Sequence, residues 1–138
     1  MKVVVTEKVL SLDEAVASLD RSVHGAVITF SGTVRLYTDG RKVQYLDYEA
    51  FPEMAEEQLH VIAKEMKARE DIEDISIFHR TGRLYVGEAS LLVAVASLHR
   101  RVGFDACLHT VERIKEIVPI WKKEVWEAGA EWVRSKGA

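Results

Sequence analysis

The residues of this chain best suited to chemistry are cationic: Arg35, the His99-Arg100-Arg101 cluster, Lys115 and the Lys122-Lys123 pair. His99, Arg100 and Arg101 stand where an apolar run gives way to a helical pattern that lasts until Pro119. Helix N-termini carry unpaired N–H groups and a partial positive charge, so a His-Arg cluster there suits an anion. Solvated arginines, with His99 as a plain cap, fit the same residues equally well. Within the helix, Phe104, Cys107, Leu108, Val111, Ile114 and Val118 recur at the i, i+3, i+4, i+7 spacing of one buried face. Lys115 falls in that stripe. A core-facing ammonium is costly unless it lines a pocket, meets an anion or snorkels to water. Lys122 and Lys123 follow the proline, next to Trp121. Clustered ammonium groups lower one another's pKa and attract polyanions. An anion pocket lined by Arg35, His99, Arg100, Lys115 and Lys122 is the expectation.

Other chemistries find less support. The histidines include no H-x-x-x-H pair and no carboxylate at ligand spacing, so no metal site is expected. The glycines form neither a dinucleotide fingerprint nor a phosphate-binding P-loop. Cys107, the one cysteine, rules out a disulfide framework and reads as a small buried hydrophobe. Trp121, Trp126 and Trp132 read as core or interface residues. A net charge of -3 disfavours broad nucleic-acid binding. Charge arrives too early after Met1 for a signal peptide, and no apolar run would span a bilayer. A reducing cytoplasm is the expected setting. The sequence has no asparagine and only two glutamines, Gln44 and Gln58, which fits a thermophilic source.

At 138 residues, one domain over residues 1–138 is the simplest organisation. Val3 to Thr6 is β-branched and reads as a strand. Ser11 and Glu14 make a capping box for a short helix that ends near Arg21. From Ala26 to Arg35 apolar and polar residues alternate, putting Ile28, Phe30 and Val34 on one face and Arg35 at the end of the other. Leu36 to Lys42 reads as an exposed mobile loop with a turn at Asp39-Gly40. A strand from Val43 to Phe51 precedes a helix opened by Pro52, with Ala55, Leu59, Ile62 and Met66 buried. Asp74 to Arg80 and a short segment near Leu84 read as strands. Ala89 to Ala96 is almost wholly apolar, as a strand covered on both faces would be. After the long helix, Trp121 to Trp126 and Glu131 to Arg134 read as a hairpin across Ala128-Gly129. Alternating β and α elements mixed with hairpins favour an α+β sandwich.

Several short motifs occur in a set order: Gly32-Thr33-Val34-Arg35, Tyr48-Glu49-Ala50, His79-Arg80-Thr81-Gly82-Arg83-Leu84, Val86-Gly87-Glu88, His99-Arg100 and Pro119-Ile120-Trp121-Lys122-Lys123-Glu124. Together they resemble the MoaE family, the large catalytic subunits of molybdopterin synthases, over about Gly25 to Val133. The resemblance implies an α/β-hammerhead fold with an added β-rich subdomain. It implies sulfur transfer from the C-terminal Gly-Gly thiocarboxylate of a small ubiquitin-like subunit to cyclic pyranopterin monophosphate, without a cofactor on this subunit. It also implies a homodimer of large subunits inside a heterotetramer. By residue, it implies catalytic roles for Lys115 and Lys122, and substrate binding by both lysines and Arg35. His99 and Arg100 would bind the phosphate side from the opposite protomer, and Phe30 and Val111 would border the pocket. A non-catalytic anion-binding regulatory module is the alternative that the same cations allow.

Overall fold

A computed structural model describes residues 1–20, 22, 24–127 and 129–134. Four strands form one sheet in the order β1-β5-β7-β2: β1 (Lys2–Thr6), β2 (Ala26–Thr33), β5 (Ile72–Arg80) and β7 (Ala89–Ser97). β1 runs parallel to β5, and the other pairs are antiparallel. The apolar run at β7 is central and buried along its length, as expected of a strand covered on both faces. One cover is the short helix α1 (Leu12–Ala17), whose Ala15 packs with Leu19, Phe78, Leu92, Ala94 and Ala96. The other cover is made by α2 (Pro52–Lys67) and α3 (Arg100–Ile117), packed on Ile75, Ile77, Leu91, Val93 and Val95.

A second, antiparallel sheet has the order β3-β4-β8-β9, with β6 paired to β4 as well. Its strands are β3 (Tyr37–Thr38), β4 (Arg41–Ala50), β6 (Gly82–Tyr85), β8 (Ile120–Trp126) and β9 (Gly129–Arg134). Val43, Leu46, Tyr48, Leu84 and Ile120 join the main core, so the two sheets share one apolar interior. The α+β architecture with an added β-rich part is the one expected. Among the described residues, no helix is long and apolar enough to cross a membrane.

Local signals act as their chemistry dictates. Ser11 Oγ accepts the Glu14 amide at 3.2 Å, closing the N-terminus of α1. The expected end of that helix, Arg21, lies outside the described residues, and the helix stops at Ala17. Pro52 opens α2, and Ala55, Leu59, Ile62 and Met66 are buried along it. In the expected hairpin across Ala128-Gly129, β8 and β9 pair as anticipated, while Ala128 lies outside the described residues.

Two expectations need correction. The segment Leu36 to Lys42 is largely exposed and turns at Asp39-Gly40 as expected, but it is a strand hairpin rather than a loop: Thr38 pairs with Arg41 across the two-residue turn. Asp39 and Gly40 both have positive φ, 50° and 76°, the conformation that matches strand twist in a tight hairpin. Of the stripe expected on α3, Cys107, Val111, Ile114 and Val118 are buried, but the buried face is rotated away from Phe104 and Leu108. Gly103, Ala106, Cys107, Thr110, Val111 and Ile114 face the sheet, while Phe104 and Leu108 are each 61% exposed. Small residues let the helix lie close against β2 and β7, and Thr110 satisfies its buried hydroxyl by donating to the Ala106 carbonyl at 2.7 Å. Lys115 moves with this rotation. It is exposed, on the same outer row as Phe104 and Leu108, and is not a core-facing lysine.

Candidate functional site

The strand β8 sorts its charges by alternation. Lys122 and Glu124 point to one face, and Trp121 and Lys123 to the other. Across the sheet Tyr48 stands opposite Lys122, and Leu46 opposite Glu124. Directly paired residues share a face, so these four side chains form one patch. Arg35 reaches it from the other sheet. It follows the end of β2, where Val34 donates its N–H to the Glu88 carbonyl at 3.0 Å and accepts from the Gly87 N–H at 2.9 Å. Arg35 and Lys122 line one small cavity of about 10 Å³ with Thr33, Thr38, Leu46, Tyr48 and Glu124.

The environment expected for Lys115 is that of Lys122. The Lys122 side chain is 12% exposed, and its ammonium lies 3.6 Å from the Glu124 carboxylate. Burial pushes its pKa below the ordinary lysine value, against the pull of Glu124. The positive charges of Arg35 and Lys115 push in the same direction as burial. Lys115 therefore acts electrostatically on Lys122 from the solvent side.

The remaining sequence candidates lie elsewhere in this protomer. His99 and Arg100 line a separate hollow of about 580 Å³ with Arg101, Phe104 and Asp105, at the start of α3. The fifteen-residue helical rise from Arg100 to Lys115 is about 22 Å, so the two cation groups stand apart. Phe30 and Val111 belong to the main core and border none of these hollows: Val111 is buried, and Phe30 packs against the cluster. A third cleft, of about 560 Å³, lies on the opposite face of β8 and includes Trp121, Lys123, Trp132 and Phe51. Trp121 and Trp132 are each half-exposed there. Among the described residues, no group of three His, Cys, Asp or Glu side chains could hold a metal ion.

Tyr48 and Glu124 are site residues that carried no role in the sequence. Their signal is long-range: the register that sets Tyr48 against Lys122 spans more than seventy residues. His79 backs the Tyr48 ring edge-on, with ring centroids 5.6 Å apart. His79 is buried, and burial holds its pKa down to about 4, while Nδ1–H donates to the Arg80 carbonyl at 2.9 Å. The folded chain thus keeps His79 neutral where the unfolded chain protonates it. Stability falls as pH drops from about 6.5 to about 4, by about 3 kcal/mol from this group. Urea unfolding across that range should show a shallower loss for His79→Asn, whose amide can keep the bond to Arg80. Equal slopes in the two proteins would refute a neutral buried His79.

An α+β fold here brings an arginine and a largely buried lysine to one small cavity where two sheets meet. The family model described as MoaE protein matches residues 5–117. A molybdopterin synthase catalytic subunit from Halalkalibacterium halodurans is 47% identical over 118 residues, covering 83% of this chain and 76% of that protein. The crystal structure of molybdopterin synthase from Staphylococcus aureus superposes with a TM-score of 0.89 at 39% identity, covering 94% of each chain. A complex of subunits 1 and 2 of molybdopterin-converting factor from Helicobacter pylori shares the fold, with a TM-score of 0.72 at 19% identity over 99% of this chain and 91% of that one. The chain belongs to the MoaE family and, with it, to the enzymes of molybdenum cofactor biosynthesis.

Proposed function

We propose that this chain transfers sulfur from the thiocarboxylated C-terminal Gly-Gly of a small ubiquitin-like subunit to cyclic pyranopterin monophosphate, building the dithiolene of molybdopterin. The observation that carries this reading is the meeting of Arg35 and a largely buried, pKa-depressed Lys122, with the charge of Lys115 acting on the same ammonium. A thiocarboxylate and a phosphorylated pterin are both anions, and preorganised cations stabilise such charge best in a partly dry site. The partner supplies the sulfur, so no cysteine of this chain is needed. Cys107 suits that bystander role, because burial pushes its thiol up to about 11.

Lys115 and Lys122 take the catalytic roles. Lys115, exposed and acting electrostatically on Lys122, meets the incoming tail, and Lys122 binds and positions. The cavity is too small to enclose a pterin, so the substrate lies across its mouth, with Arg35 on its anionic side. His99 and Arg100, a helix length away, bind the phosphate from the second protomer of a homodimer within a heterotetramer. The reaction is assigned to the cytoplasm.

Mixing experiments test this. With purified small subunit carrying its thiocarboxylate, the partner should lose sulfur only when the pterin is present. Ligand binding without turnover would instead indicate a regulatory module. Partner binding indifferent to the pterin would indicate a scaffold.

A further inference from the structure

The hairpin that follows Arg35 has no part in the chemistry above, yet it borders the site. Its first strand, β3, brings Thr38 into the cavity lining beside Arg35 and Lys122. Arg35 itself stands between two bonded neighbours. Val34 is tied to Glu88 and Gly87, and the Leu36 carbonyl accepts the Val43 N–H at 2.7 Å. The second tie belongs to the hairpin, so the hairpin's placement helps decide where Arg35 and Thr38 stand. Beyond the turn, Arg41 meets the sheet that carries Lys122. Its guanidinium lies 4.3 Å from the centroid of the Trp126 ring and 3.6 Å from the Glu131 carboxylate. Trp126 follows Lys122 and Glu124 along β8 by alternation and falls on their face. Glu131 is paired directly with Glu124 and shares that face too. Two carboxylates opposite one another repel unless cations serve them. Lys122 serves Glu124, and Arg41 serves Glu131.

We propose that Arg41 is a positioning residue for the reaction: stacked on Trp126 and paired with Glu131, it clamps the β3–β4 hairpin so that Thr38 and Arg35 keep their places beside Lys122. The proposal rests on the reading of Arg35 and Lys122 as functional groups. A planar guanidinium suits the clamp, because it can lie on an indole face and still present an N–H to a carboxylate. The turn passes the constraint on. Asp39 and Gly40 leave no slack between Arg41 and Thr38, which are direct partners across the hairpin, so fixing one fixes the other. Arg41 is half-exposed, and its removal leaves the core intact.

Arg41→Ala, Trp126→Leu and the double variant test the clamp, each studied with the thiocarboxylated small subunit. Arg41→Ala should lower kcat at least fivefold (roughly) with KM changed by less than about twofold, because misplaced groups slow the chemistry more than they weaken binding. Trp126→Leu should do the same, and the double variant should lose less than about twofold more, as the two halves of one contact do. Trp126→Phe keeps an aromatic face and should restore kcat to within about twofold of the parent chain. Amide hydrogen exchange, measured without substrate, supplies the second readout. The Val43 amide, bonded to Leu36, should exchange about fivefold faster in Arg41→Ala, while the Val34 amide, bonded to Glu88, stays protected. Unchanged kcat or unchanged Val43 exchange in Arg41→Ala would overturn the proposal. So would losses that multiply in the double variant. Raised KM in Arg41→Ala beside normal kinetics in Trp126→Leu would also overturn it, and would make Arg41 a cation that meets the substrate directly. If the parent chain itself yields no product, the sulfur-transfer reading fails, and the Val43 exchange still decides whether Arg41 holds the hairpin.

Discussion

Lys122→Ala should cut turnover about a thousandfold, a loss of roughly 4 kcal/mol of transition-state stabilisation. The size follows from where the ammonium sits. It is nearly enclosed, flanked by Arg35 and held 3.6 Å from Glu124, so its charge acts with little solvent screening. Its removal also leaves Glu124 buried without its cation, which destabilises the chain. Lys115→Ala should be as damaging to turnover with stability within about 0.5 kcal/mol, because that side chain is exposed. Comparing urea unfolding with single-turnover rates separates the two variants. The pH dependence gives an independent check. If the protonated Lys122 is the working form, the alkaline limb of kcat lies below 10.5, the ordinary lysine value, since burial depresses its pKa. Glu124→Gln removes the charge that opposes this depression and should move the limb lower still. A limb at the ordinary value, or one that rises in Glu124→Gln, would remove Lys122 from this role.

The parts of the fold that were legible in the sequence are those set by neighbours along the chain. The alternation from Ile28 to Arg35 correctly put Val34 inside and Arg35 outside, and Ser11-Glu14 and Pro52 opened their helices. The apolar run at β7 had no alternative but a central strand. What failed was the orientation of α3. A stripe sought in large apolar residues missed a packing face built from Gly103, Ala106 and Thr110, whose virtue is smallness rather than hydrophobicity. A stripe of large residues places Lys115 in the core, whereas in the fold it is exposed and Lys122 has the desolvated environment. Glu124 and Tyr48 were beyond local reading for another reason. Their relation to Lys122 comes from the β4–β8 register and the alternation of β8, and no spacing along the chain encodes that pairing.

The rotated helix makes a prediction of its own at Gly103. A Cβ there would lie 2.5 Å from Ser97 Oγ and 2.8 Å from Ile28 Cγ1, closer than side chains approach without movement. Neither neighbour yields easily. Ser97 is fully buried, with its hydroxyl donated to the His99 carbonyl at 2.7 Å, and Ile28 lies in the main core between sheet and helix. Gly103→Ala should therefore cost about 2 kcal/mol, despite the better helix propensity of alanine, and Gly103→Val more than about 3 kcal/mol. Phe104→Ala, one residue on, removes a far larger side chain from an exposed position and should cost less than about 1 kcal/mol. Urea unfolding of the three variants measures the contrast directly. A Phe104→Ala loss larger than that of Gly103→Ala would put the aromatic ring back in the core and Lys115 with it. The order predicted here keeps Lys115 on the solvent side of α3, free to meet an incoming chain terminus while its charge reaches Lys122.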